Sequence, residues 1–194
     1  MTELLPLLTY SFLMSSTPGP NNVMLTASGA RFGYRRTVPH ILGIAAGHAP
    51  QTYLSCVGLG ALFAEWPLLH DVLRWAGAAW LVWIALRMLR TTTGSANPQR
   101  PMRLQEAMAF QMVNPKGWVK ALTTASVFMP AGLDVATGAA LVTAISIAVN
   151  LPCVSMWALF GAAIGRWLGD TRRRRAFDVI MATTLIVLAL TLVA

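Results

Sequence analysis

Eight polar side chains stand inside stretches of this chain that are otherwise apolar: Asn21, Asn22, His48, Gln51, Gln111, Asn114, Lys116 and Asn150. Their types limit what they can do. An amide donates and accepts hydrogen bonds, an ammonium brings charge and three donors, and an imidazole exchanges a proton near neutral pH. That inventory suits the reversible holding of a small charged or zwitterionic molecule. It does not suit covalent chemistry, because Ala27-Ser28-Gly29 lacks the preceding glycine of a strained nucleophile turn. Cation channels and metal carriers use carboxylates or clustered Cys and His. Here no Asp or Glu is expected inside an apolar stretch, with Glu65, Glu106 and Asp134 at the edges. Neither enzyme activity, nor a cofactor, nor a metal site is expected.

Prolines bear on how these groups are held. Pro18, Gly19 and Pro20 interrupt the run from Leu4 to Ala30, and Asn114-Pro115-Lys116 interrupts the run from Ala107 to Met129. Proline removes a backbone donor and collides with the preceding turn, so each run is expected to break there. A helix restarting near Asn21 would turn its N–H groups toward an anion. Asn21 and Asn22 would cap that helix or touch the ligand. Lys116 would meet a carboxylate or snorkel to the membrane surface, and Lys120, one turn further along the same face, could take either role. His48 would carry protons or rest as a buried, hydrogen-bonded core group.

Composition says what surrounds these residues. The hydrophobic fraction is 56%, only 11% of residues are charged, and mean hydropathy is +0.58. A soluble domain carries about a quarter charged residues, so this chain could not cover itself with polar surface. The apolar runs are continuous and reach about 18 residues or more, which makes an all-α membrane protein. The net charge of +8 is mostly arginine, read as loop charge that sets orientation and not as a nucleic-acid surface. Cys56 and Cys153 both fall in apolar runs and are expected as free, packed thiols.

Six transmembrane spans are predicted, near 4–30, 38–64, 72–89, 107–129, 137–165 and 176–193. The first span, lacking a basic leader, is read as uncleaved. Loops after spans 1, 3 and 5 hold three, four and five basic residues; those after spans 2 and 4 hold one and none. Positive loops stay cytoplasmic, so both termini are predicted periplasmic. The chain reads as one transmembrane domain, 1–194: repeat one over 1–90, a cytoplasmic linker over 91–106, and repeat two over 107–194. Three spans per half orient the halves oppositely. Pro18 and Pro115 are 97 residues apart, and Pro50 in span 2 pairs with Pro152 in span 5. Spans 3 and 6 have no break. Paired interruptions point to an inverted repeat with a mid-membrane site and helices 1 and 4 broken. Gly43-x-x-x-Gly47 and Gly161-x-x-x-Gly165-x-x-x-Gly169 permit close helix contact.

Specific motifs go further. Thr17-Pro18-Gly19-Pro20-Asn21-Asn22, then Gly29, Gly33, Gly43 and Gly47, resemble the first half of the LysE/RhtB amino-acid exporters. Trp75-Ala76-Gly77-Ala78-Ala79-Trp80-Leu81 is similar to that family's third span. Phe110-Gln111-Met112-Val113-Asn114-Pro115-Lys116-Gly117 is similar to its fourth. The doubled asparagine and the third span look closest to the cysteine and O-acetylserine exporter branch. The resemblance implies a bacterial inner-membrane exporter of small amino acids, driven by proton antiport. It also implies that Pro18, Gly19, Pro20, Asn21, Asn114, Pro115 and Lys116 are motif positions.

Together with Asn22, Gln51 and Asn150, these positions form the expected substrate site, with His48 as the proton-coupling candidate. The substrate carboxylate is expected near Lys116 or the N–H groups beyond Pro20, and its ammonium near the Asn114 and Asn21 carbonyls. The repeats are expected to rock in alternating access, with lipid around the bundle and a homodimer through spans 3 and 6. Export of threonine, homoserine or basic amino acids, or an uncoupled channel, are the alternatives.

Overall fold

Proline ends helices in this chain at some positions and rides inside them at others. The structure, a computed structural model, describes residues 4–59, 65, 67–92 and 100–193. Among these, all regular secondary structure is helical. Helices α1 (Leu4–Ser16) and α2 (Pro20–Phe32) share the first apolar run and are followed by α3 (Tyr34–Leu54) with a π-turn at Ser55–Leu59. Next come α4 (Pro67–Thr92), α5 (Leu104–Val113) and α6 (Pro115–Val127). Helices α7 (Val135–Trp167) and α8 (Thr171–Val193) end the chain. Three helical stretches, Asp71–Arg90, Val135–Trp167 and Thr171–Val193, are long and apolar enough to cross a membrane. Part of the expected 91–106 linker lies outside the described residues.

Both expected breaks at Pro18–Pro20 and Asn114–Pro115 are present. Pro20 and Pro115 each sit at the first position of a new helix, where a missing N–H costs nothing. Pro18, two residues earlier, lies between α1 and α2 and starts no helix. Pro50 and Pro152 do not interrupt their helices: α3 and α7 run through them. Proline's fixed φ is helical, and in an apolar bundle neighbouring groups make up for the lost donor. The helical course of the second run is broken instead at Gly58, whose φ of 119° only glycine adopts readily.

Polarity runs inside out. Leu5, Phe12, Trp75, Met156, Phe160 and Leu190 are exposed, whereas Ser15, Asn22, His48, Gln51, Gln111, Lys120 and Asn150 are buried. An apolar exterior around a polar interior is what a bilayer selects. Helix α2 packs mainly on α7, α3 on α5 and α7, and α4 on α8. Glycine permits the closest of these contacts. A Cβ at Gly161 would stand 2.1 Å from the Thr26 carbonyl oxygen, and one at Gly43 2.3 Å from that of Leu104. Thus the two small-residue stripes clasp α2 to α7 and α3 to α5. Gly169, third in its stripe, meets nothing.

One expectation fails here. Asp178 lies inside the last apolar helix and is buried, where it accepts a 2.5 Å bond from Arg31 on α2. The pairing spans 147 residues, so local sequence gave no sign that this acid would be tolerated.

Candidate functional site

The two breaks face one another across a cavity of about 50 Å³, room for about four waters. Its walls come from the end of α1, the start of α2, the midpoints of α3 and α7, and the α5–α6 break. The break before α2 is the looser one. Gly19 is its N-cap, extended and without a side-chain cap, and the carbonyls of Thr17 and Pro18 lie beyond the last turn of α1. Lys116 supplies what is missing. Its Nζ donates to the Thr17 carbonyl at 2.8 Å, to Thr17 Oγ1 at 2.8 Å and to the Pro18 carbonyl at 3.4 Å. A cation at the carboxyl end of α1 also meets the negative end of that helix's dipole. Gly19 is required for this approach, since a Cβ there would come within 2.9 Å of Lys116 Cδ.

Asn114 manages the second break by itself. Its Oδ1 accepts the Lys116 backbone N–H at 3.1 Å, an ordinary N-cap. One of the two acceptor positions of Asn114 Oδ1 is therefore taken by this cap. Beside it, Gln111 gathers three helices. Asn21 donates to Gln111 Oε1 at 2.6 Å, Gln51 donates to the Gln111 carbonyl at 2.8 Å, and Gln111 Nε2 donates to Gln51 Oε1 at 2.7 Å. Gln51 thus stands behind Gln111 without lining the cavity. Asn22 turns back, donating to the Ser15 and Thr17 carbonyls at 2.9 Å each. Pro18 and Pro115 shape the backbone and do not line the space either.

On the other wall, Ser15 Oγ accepts from Lys120 Nζ at 3.0 Å and from Asn150 Nδ2 at 3.1 Å. His48 Nε2 meets Ser146 Oγ at 2.9 Å, with Thr52 further off at 3.5 Å. Three features decide the chemistry. Lys120 is 5% exposed and makes one hydrogen bond, to Ser15, so an ammonium lies within the cavity wall. No carboxylate lines the cavity among the described residues. The Oδ1 atoms of Asn21 and Asn150 are buried acceptors without partners. Buried acceptors left unpaired cost about 1–3 kcal/mol each, so a ligand that donates to them gains that much in its favour.

Of the residues expected at the site, Gly19, Pro20, Asn21, Asn22, His48, Asn114, Lys116 and Asn150 line this cavity. Gln111 and Lys120, both named from the sequence, line it too; Ser15, which also lines it, and Ser146, which bonds His48, were not singled out. Spacing held the clue for Ser146: Ser146 and Asn150, like Lys116 and Lys120, stand one helical turn apart on a common face. Cys153 is buried and free, accepting a 3.5 Å contact from Ser16 Oγ.

Fold and cavity together define a helical membrane protein with a polar chamber between broken helices. The LysE type translocator family model matches residues 12–194, and the chain belongs to that family. Among individual relatives, the cysteine/O-acetylserine efflux proteins of Escherichia coli (strain K12) and Shigella sonnei (strain Ss046) are each 31% identical over 123 residues. Each match covers 62% of this chain and 63% of the relative, so the chain spans somewhat less than two thirds of their length. No solved structure matches.

Proposed function

We propose that this chain is a secondary active exporter of small neutral amino acids or derivatives, of the cysteine and O-acetylserine kind, working by proton antiport in a bacterial inner membrane. It is a carrier and not an enzyme. The observation that carries the reading is the polarity of the chamber: a buried ammonium on one wall and two unpartnered amide oxygens on others. A zwitterion matches that arrangement. Its carboxylate meets Lys120 and its ammonium meets Asn21 Oδ1 and Asn150 Oδ1. Lys116 acts one step back, closing the first break and so fixing where Asn21 stands. The names of the relatives support the substrate class, and the lack of a lining carboxylate disfavours lysine or arginine as cargo.

Six spans in two inverted repeats, 1–90 and 107–194 joined by the 91–106 linker, complete the proposal, with both termini periplasmic. Internal symmetry of contacts supports it. The Gln51–Gln111 pair joins spans 2 and 4, and the Asn150–Ser15 pair joins spans 5 and 1, which is the same relation with the halves exchanged. His48 and Ser146, 98 residues apart, join spans 2 and 5 and would lie on the exchange axis. The glycine clasps bind span 1 to span 5 and span 4 to span 2, so these crossed pairs are the bodies that rock in alternating access. His48 is the proposed proton carrier, exchanging its Ser146 bond as the chamber opens. Exposed apolar faces of α4 and α8 meet lipid, or a second copy in a homodimer.

Proteoliposomes carrying purified protein test this directly. Radiolabelled O-acetyl-L-serine should be driven uphill by a pH gradient, whereas flux that only ever runs downhill means a channel. Transport of lysine in preference to cysteine, O-acetylserine, threonine and homoserine would overturn the neutral-zwitterion reading. A His48→Gln protein that still accumulates substrate against a proton gradient removes His48 from coupling.

A further inference from the structure

A second and larger cavity, about 140 Å³, lies along the same helices as the first. Three of them pass both cavities in a consistent order. On α2 the order is Asn21 in the inner chamber, then Met24, Ser28 and Arg31 in the outer one. On α3 it is His48 and Ile44 inner, then His40 outer. On α5 it is Gln111 inner, then Glu106 outer, with Phe110 between them stacked on Trp80 at 6.0 Å. Eight residues of helix separate His40 from His48, which places the cavities about 12 Å apart. Met24 and Phe110, both buried in one apolar cluster, form the partition.

The outer cavity carries recognition groups of its own. His40 is 1% exposed with neither ring nitrogen partnered, and Trp80 Nε1 is likewise buried and unpartnered. Two buried polar groups left open at one cavity favour a ligand that completes them. Both charge signs stand at its rim. Arg31 pairs with Asp178, Arg100 with Glu106, and Arg87 stacks over Trp83 with its Cζ 4.8 Å from the ring centre. An acyl chain needs none of these groups. A carboxylate uses the Trp80 and His40 N–H donors, an ammonium uses Glu106, and a short side chain packs on Met24 and Trp83.

Resting on the exporter reading above, we infer that this outer cavity is a second binding site for a small zwitterionic amino acid, in series with the inner chamber. It captures substrate on the arginine-bearing face, and movement of Met24 and Phe110 then admits it to Lys120 and Asn150. Two sites in series raise the occupancy of the inner one at low substrate without changing the inner contacts.

Sidedness tests it. In oriented proteoliposomes of the full-length protein, radiolabelled O-acetyl-L-serine is presented to either face. Trp80→Phe keeps the ring and removes the N–H; His40→Gln keeps a donor in a different place. Each should raise KM about tenfold from the arginine-bearing face and leave KM from the other face and kcat unchanged. An unchanged KM on both faces, with Lys120→Met still abolishing transport, overturns the outer site and leaves the inner one standing. A KM raised equally on both faces overturns it too, because that is what a general disturbance of the fold would do. A phospholipid retained by wild type and released by Trp80→Phe in native mass spectrometry, without a KM change, would assign the cavity to lipid instead. Wild type that transports none of the label removes the exporter reading, and this inference with it.

Discussion

The two breaks look alike in sequence and are held together in opposite ways. Asn114 closes the second break within two residues, its own side chain capping the helix that Pro115 begins. The first break leaves three residues, Thr17, Pro18 and Gly19, between helices and has no side-chain cap. Its carbonyls are shared: Asn22, on the same span, bonds those of Ser15 and Thr17, and Lys116, from the other half of the chain, bonds Thr17 a second time and reaches Pro18. One break is therefore locally stable whatever the rest of the bundle does. The other is completed by contact between the halves, through Lys116, so in the proposed transport cycle the first break is the natural place for change.

The largest disruption should come from prising the helix after the first break away from α7. Gly161→Leu drives a side chain into the Thr26 backbone, and about 3 kcal/mol or more should be lost, visible as aggregation on detergent extraction. Lys116→Ala should come next. Leaving the Pro18 carbonyl without its donor, and Thr17 with Asn22 alone, costs about 1–3 kcal/mol, and export should fall at least about tenfold. Asn114→Ala should cost less in thermal stability, about 1 kcal/mol, as an N-cap does. Equal melting-temperature losses for these two variants would mean that the breaks are held alike, and the contrast drawn here would be wrong.

The smallest effect concerns how the second broken run begins. The Arg100 guanidinium bonded to Glu106, helped by the Arg103 backbone N–H, holds the Glu106 carboxyl down from 4.5 to about 2. A depressed carboxylate stabilises the fold fully above pH 4.5, and that contribution drains away as pH falls toward 2. Solvent screens this surface pair, so Glu106→Gln should cost under about 1 kcal/mol at pH 7 and nothing near pH 2. A chemical-denaturation series against pH would check it.

Membrane character, the two breaks and most of the chamber could be read from residue types, because each rests on local rules. Apolar run length, proline geometry and the expense of a buried amide need no knowledge of neighbours. What escaped the reading depends on partners far along the chain. Pro50 and Pro152 carry the same local signal as Pro20 and Pro115, and only the surrounding bundle decides that α3 and α7 continue through them. Asp178 is admissible solely because Arg31 reaches it. Lys116 and Lys120 could not be ranked until it was known that one faces carbonyls and the other a chamber. His40 falls near the start of the second apolar run, and nothing nearby in sequence announces the cavity that it lines.

The glycine clasps also fix when the molecule can finish folding. Gly29 on α2 fits against the Ala158 backbone of α7, a contact between residues 129 positions apart. At about 5–20 residues per second of synthesis, the first broken span waits on the order of ten seconds for the helix that seats it. Until then its small-residue face, the Pro18 carbonyl and the Asn21 amide are without the partners that the second half supplies. The first half of this chain is thus a client for whatever shelters nascent membrane segments, and its vulnerability is set by a separation along the chain.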